Sequence, residues 1–197
     1  MIAKIKQQMS EITSAKITET EYAAKGYHLD VEVPADQVVT AAEILDAEKF
    51  YLEAVTGVDW MGAKAAELAA KKAAAAKAAL DAAKKAAAEA EGEEKPETVA
   101  APVAESVEEV EEDLEEEMEV VYDYNHAEEL CRVVVRCRVP RLSPELPTIS
   151  EVFPGANWHE RETHDFFGIK FIGHPDLSPL LLPEDADFHP LLKDFSA

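Results

Sequence analysis

The apolar residues of this chain change their spacing several times, and each change marks a structural element. Ile2, Ile5, Met9 and Ile12 recur every three or four residues, which predicts an amphipathic helix over residues 2–13. The pattern then alternates. AKITETEYA and GYHLDVEV read as strands, the second with Tyr27, Leu29, Val31 and Val33 on one face and His28, Asp30 and Glu32 on the other. Gly26 stands where a hairpin turn between them would need it. Pro34 suits the first position of a helix whose apolar stripe is Val38, Ala41, Ala42 and Leu45, ending near Glu48. FYLEAVTGVDW follows as another strand.

Periodicity then gives way to composition. Residues 63–90 contain 17 alanines and six lysines in 28 positions, with Leu68 and Leu80 as the large apolar residues. Alanine and lysine favour helix, but such a helix would have little to bury, so a solvated helix or spacer is expected. Residues 91–119 hold 14 acids and one lysine, interrupted by Pro96 and Pro102, and self-repulsion predicts disorder there.

Alternation resumes in MEVVYDYNH, where Met118, Val120, Tyr122 and Tyr124 share a face. ELCRVVVRCRV places Cys131, Val133, Val135, Cys137 and Val139 on an apolar face and Arg132, Arg136 and Arg138 opposite. That basic face is either solvated or a docking surface for an acidic partner. Neither half of the chain has enough elements to close a core alone. The expected fold is therefore α+β: a single domain with a mixed or antiparallel sheet, packed helices and an extended C-terminal arm. Its N-terminal part is 1–62, the Ala/Lys/Glu-rich insertion 63–117, the C-terminal part 118–173 with a helix over 158–167, and the arm 174–197. A long insertion is tolerable because closure cost grows only with the logarithm of loop length.

Charge narrows the partners. The net charge is −22. An acidic chain lacks the basic footprint that nucleic acid requires, and it disfavours unaided adsorption to anionic lipid. No apolar run approaches the roughly 20 residues of a bilayer span, and MIAKIKQQMS lacks the apolar core of a signal peptide. Membrane association is thus expected only through partner subunits. Cys131 and Cys137 fall on one strand face, too far apart to bridge, and are expected as reduced core residues.

The candidate chemistry is concentrated in WHERETHDFFG, residues 158–168. Asn157 with Glu160 could form a capping box, and Gly168 a left-handed C-cap. A zinc site of the H-E-x-x-H kind fails on geometry. His159 and His164 are five residues apart and diverge by about 140° around a helix. The pairs that helical spacing permits are Glu160–His164 and Arg161–Asp165. Surplus acids would pair with Arg132, Arg136, Arg141 or another chain, because buried charges need partners. GVDWMGAK lacks the lysine and hydroxyl of a phosphate loop, and neither G-x-G-x-x-G nor C-x-x-C occurs. The segment after Ile172 is rich in proline and leucine and reads as an arm laid on a surface.

These residues resemble the signature region of the 30-kDa subunit family of complex I, which includes the C subunit of bacterial NADH:quinone oxidoreductases and relatives in membrane-bound NiFe hydrogenases. The resemblance runs through Trp158, Glu160, Arg161, Glu162, Asp165, Phe166, Phe167 and Gly168. It continues through G-H-P-D-L (Gly173, His174, Pro175, Asp176, Leu177) and the P-E-D of Pro183, Glu184 and Asp185. It ends with His189, Pro190, Lys193 and Asp194. Upstream, Asp59–Trp60 and the TISEVFPGANW approach also match, so the likeness covers 25–62 and 118–195. It implies a subunit of the hydrophilic arm with no catalytic, cofactor-binding or metal-ligating residues of its own, docked on a 49-kDa-type large subunit and near iron–sulfur subunits. NADH, FMN, iron–sulfur clusters and quinone, or a NiFe centre in a hydrogenase, would sit elsewhere in the complex. The expected location is peripheral, on the cytoplasmic side of the bacterial inner membrane. The rival reading from another class is a stand-alone metal-dependent hydrolase using His159, His164 and His174.

Overall fold

The computed structural model of the 197-residue chain describes residues 1–63, 66 and 116–196. The chain divides into two units, Met1–Met61 with Glu116–Ala197, and Gly62–Glu115. The helix and disorder expected within 63–117 lie almost wholly outside the described residues.

The first unit is built on a five-stranded mixed sheet. Its strands are β1 (Lys16–Glu19), β2 (Leu29–Glu32), β3 (Tyr51–Asp59), β4 (Glu117–His126) and β5 (Cys131–Pro140), in the order β1-β2-β5-β4-β3. β2 and β5 run parallel, and the other neighbours are antiparallel. Helices α1 (Ile2–Met9) and α3 (Val38–Ala47) bury the stripes the spacing predicted: Ile5, Met9 and Ile12 from the first segment, and Val38, Ala41, Ala42 and Leu45 from the second. They pack with Leu29, Val31, Val133, Val135, Tyr122 and Tyr124 into one apolar cluster. A short parallel pair, β6 (Glu145–Pro147) and β7 (Lys170–Ile172), adds Leu146 and Phe171 to it.

Two local expectations are corrected. The first helix stops at Met9, because Ser10 turns its hydroxyl back to the Gln7 carbonyl and Ser14 takes φ 63°. β1 and β2 are not joined by a tight hairpin. A one-turn helix α2 (Tyr22–Lys25) intervenes, and Gly26 ends it at φ 80°, donating its N–H to the Tyr22 carbonyl. Gly26 has the conformation anticipated, but as a helix cap.

The opposite face of the sheet carries the arginines. Arg132 pairs with Asp123 and Glu53, Arg136 with Asp30 and Glu119, and Arg138 with Glu117 and Glu119. That face is an ion-pair ladder within one sheet, so its arginines are already matched by this chain's own acids. Cys131 and Cys137 are buried free thiols, and burial pushes Cys137 up to about 12, which fits a core role.

Helix α4 (Ala156–Phe167) lies against β3 on the apolar side of the sheet. The close approach depends on Gly57: a Cβ there would come within 2.6 Å of the Phe167 ring. Thr163 fixes the same contact by donating its hydroxyl to the Val55 carbonyl.

Candidate functional site

The signature segment is α4 together with the arm that crosses it. Ala156, Glu160, Thr163 and Phe167 recur at helical spacing, and that stripe faces inward. The expected capping box does not form. Gly155 holds the N-cap position, Asn157 lies inside the helix, and Glu160 points into the domain. There it accepts the Ile149 N–H at 2.9 Å and the Thr148 hydroxyl. Gly168 does cap the other end, at φ 73°, and it also lets the His189 ring approach within the space a Cβ would occupy.

Neither helical ion pair forms. His164 contacts the Ile169 carbonyl through Nδ1 at 2.9 Å, not Glu160. Arg161 donates to the Ser178 carbonyl and hydroxyl and to the Pro179 carbonyl, with its guanidinium over the Trp158 ring. Asp165 accepts three backbone N–H groups, from Leu180 and Leu181 at 2.8 Å and Leu182 at 3.4 Å. The pairing that spacing suggested fails because the arm supplies better partners. A run of backbone amides converges on one carboxylate, and carbonyls converge on one guanidinium. Arg132, Arg136 and Arg141 do not take up the surplus acids of the helix either.

Arg141 serves a second anchor. Asp59 lies on the inward face of β3 with Val55 and Gly57, and its side chain is almost wholly buried. It accepts from Arg141 at 3.1 and 3.2 Å, from the Met61 N–H at 2.9 Å and from the Lys193 N–H at 3.0 Å. Arg141 also donates to Asp194, and the Lys193 ammonium reaches the Met61 carbonyl. The Asp165 carbonyl meets His189 Nδ1 at 2.8 Å, and the Phe166 carbonyl accepts the Leu191 N–H. The arm is therefore tied to its own domain at both ends, through two buried aspartates.

The electrostatics separate these carboxyls. Burial raises Asp59 and Asp165, but hydrogen bonds outweigh it. Asp59 has Arg141, Lys193 and Met61, and Asp165 has Leu181, Leu180 and Leu182, so both lie below their ordinary value. Glu160 has two donors and no arginine, so burial dominates and pushes it up to about 7.

The outward side exposes several large apolar side chains among acids. Trp158 and Leu181 are each 60% exposed, and Ile172, Leu191 and a stacked Phe188–Phe195 pair are also exposed. Leu177, Leu192 and Phe166 instead pack partly against the core. Glu162, Pro175, Asp176, Pro183, Glu184 and Asp185 are exposed, Gly173 takes φ 86° after β7, and Pro190 is half-buried. Of the signature residues, then, Glu160, Asp165 and Phe167 are interior and cannot touch a partner. His159, His164 and His174 do not converge, and among the described residues no three His, Cys, Asp or Glu are grouped to hold a metal. Spacing missed Thr148 and Ile149, which carry Glu160. Spacing missed Asp59 too; the signal that could have found it is an acid in step with Val55 and Gly57 on one strand face, a position that demands a partner. Among the described residues no helix is long and apolar enough to cross a membrane.

This fold and site define a helix-braced mixed-sheet domain whose buried acids hold an extended arm. The chain belongs to the family of the respiratory-chain NADH dehydrogenase 30 Kd subunit, whose model matches residues 73–197. That match reaches into the Ala/Lys/Glu block and omits the N-terminal strands, whereas the signature resemblance runs over 25–62 and 118–195. The C subunit of NADH-quinone oxidoreductase from Roseiflexus castenholzii is 47% identical over 76 residues, 39% of this chain and 44% of that protein. NADH-quinone oxidoreductase subunit 5 of Thermus thermophilus is 52% identical over 64 residues, 32% of this chain and 31% of that one. The matched stretch thus spans less than half the length of either relative. Two solved structures share the fold. A trypsin-resistant fragment of Nqo5 has TM-score 0.53 at 21% identity, covering 89% of this chain and 98% of that one. A chain of a membrane-bound sulfane sulfur reductase, an archaeal respiratory membrane complex, has TM-score 0.63 at 20% identity, covering 99% and 85%.

Proposed function

We propose that this chain is a non-catalytic structural subunit of the hydrophilic arm of a complex I-type NADH:quinone oxidoreductase. It docks on the 49-kDa-type large subunit beside the iron–sulfur subunits and supports electron transfer to quinone coupled to ion translocation. NADH, FMN, the clusters and quinone belong to other subunits, and the chain reaches the cytoplasmic face of the membrane only through them. The observation that carries this reading is the signature segment itself. Its buried Asp165 is consumed in holding the arm, while Trp158, Leu181, Phe188 and Leu191 are turned outward in a region the family match covers. Exposed aromatics and leucines of this kind mark a surface that a partner covers.

Affinity purification of the tagged chain from its native membrane tests this. The large quinone-site subunit and cluster-bearing subunits should co-purify, and Trp158→Ser with Leu181→Ser should reduce their yield while the purified variant keeps its melting temperature. Recovery of the chain alone would refute the reading. Recovery with a nickel-binding large subunit and no flavin/NADH module would transfer the assignment to an energy-converting hydrogenase.

A further inference from the structure

Glu160 is held unlike Asp59 or Asp165. Its side chain is 0% exposed, and no arginine or lysine is paired with it. The basic group nearest to it is His174, whose Nε2 is 3.8 Å from Glu160 Oε2 and whose side chain is also 0% exposed. His174 begins the arm, directly after Gly173. Its Nδ1 accepts the Asp176 N–H at 3.1 Å, so Nδ1 carries no proton, and its Nε2–H faces the Asn157 carbonyl at 3.3 Å. Burial lowers the ring's affinity for a second proton and the Asp176 N–H occupies the nitrogen that would take it, while the Asn157 carbonyl favours the charged form.

The other groups facing this site add no compensating charge. Tyr122 and Tyr124 come from β4, and burial raises both phenols, with Glu160 raising them further. Thr148 links Glu160 to the Ser150 hydroxyl at 2.8 Å. On the helix, Arg161 is turned away to Ser178 and Pro179, and it disfavours the charged form of His174. Asp176 favours that form, but its carboxylate is occupied by the Ser178 N–H.

We propose that Glu160 is a proton-operated latch on the root of the arm, closed while its carboxyl holds a proton and loosened when that proton leaves. The leaving proton has a route, because Thr148 and Ser150 form a hydroxyl chain from Glu160 to the half-buried Ser150. An ionised Glu160 is then a charge in the core held by two hydrogen bonds and no paired arginine or lysine. It can be relieved by water entering between α4 and the arm, which undoes the His174–Asn157 contact. It can also be relieved by protonation of His174, which undoes the Nδ1–Asp176 bond. Both routes open the segment 174–178.

The sign follows from linkage. The ordinary value of Glu160 is 4.5 and burial raises it to about 7. Its contribution to closure is complete below 4.5, is lost as pH rises toward 7, and is constant above. Full-length protein labelled with 13C at glutamate side chains reads the Glu160 titration directly. Hydrogen exchange at the Asp176 and Ser178 amides, corrected for intrinsic rates, reads the latch. The latch predicts a Glu160 midpoint near 7. It also predicts protection that falls by up to about tenfold per pH unit between 5 and 7 and then levels off. In Glu160→Gln, which keeps the shape and cannot ionise, the same protection should be independent of pH. A Glu160 midpoint below 5.5 would overturn the proposal in the native protein without recourse to any variant. Protection that falls equally in Glu160→Gln would overturn it as well.

Discussion

Two groups of charges in this domain are held in opposite ways. On the outer face of β4 and β5, arginines and carboxylates alternate across neighbouring strands and pair side chain to side chain, partly solvated except for the buried Glu119. Beneath α4 and the arm, Asp59, Glu160 and Asp165 are buried and draw most of their hydrogen bonds from backbone N–H groups and hydroxyls. The first arrangement decorates a sheet that hydrophobic burial already specifies. The second decides where the chain itself goes, because each carboxylate fixes a strand, a loop or the arm. Exposed pairs are worth little, whereas removing a buried acceptor leaves its donors unsatisfied.

This contrast orders the expected effects of substitution. Asp165→Ala should be the most damaging, since it strands three amides of the arm. A loss of about 2–4 kcal/mol by denaturant unfolding is expected, with early proteolysis within residues 176–190. The penalty should depend on pH. The folded value of Asp165 is depressed, so its contribution is present above the ordinary 3.8 and fades as pH falls through the folded value. The stability difference between wild type and Asp165→Asn should therefore shrink toward zero in acid. A difference that persists there would show that the loss is steric. Gly57→Ala comes next. Its Cβ meets the Phe167 ring, so α4 must shift, at about 1–3 kcal/mol in the same measurement. Arg138→Ala, on the outer face, should cost no more than about 1 kcal/mol, because Arg138 is half-exposed and Glu119 retains Arg136. If Arg138→Ala proved as costly as Asp165→Ala, the distinction between the two groups would collapse. The smallest effect is expected from replacing residues 65–115 with a short Gly/Ser turn. The Trp60 N–H already bonds the Glu117 carbonyl, so the two ends sit one strand apart. Thermal melts of the two forms should stay cooperative and close together.

The sheet and its helices were legible because burial there is periodic. Leu29, Val31, Tyr122, Val133 and Val135 announce their face by alternation, and α3 announces its own by Val38, Ala41, Ala42 and Leu45. The same alternation runs through Val55, Gly57 and Asp59, but no face was read for that strand, so the inward acid went unmarked. What periodicity could not convey is contact with irregular backbone. Spacing offered Arg161 to Asp165 and His164 to Glu160, since only side chains on the same helix can be placed by counting. The actual partners are amides and carbonyls of residues 149, 169 and 178–182, whose positions follow from how the loop before the helix and the chain after it fold back. The inward placing of Glu160 and Asp165 beside an outward Trp158 arises from that fold-back.

The central claim is that the signature residues hold and present a docking surface and do no chemistry. Turnover of NADH:quinone reduction per assembled complex tests it most directly, measured with Asp165→Asn, His159→Ala and His164→Ala in the native assembly. The account predicts that Asp165→Asn lowers the amount of complex recovered, that the histidine variants assemble at near-normal yield, and that every complex formed turns over at the wild-type rate. Full assembly of a histidine variant with turnover abolished would place catalysis in the signature helix and contradict the account.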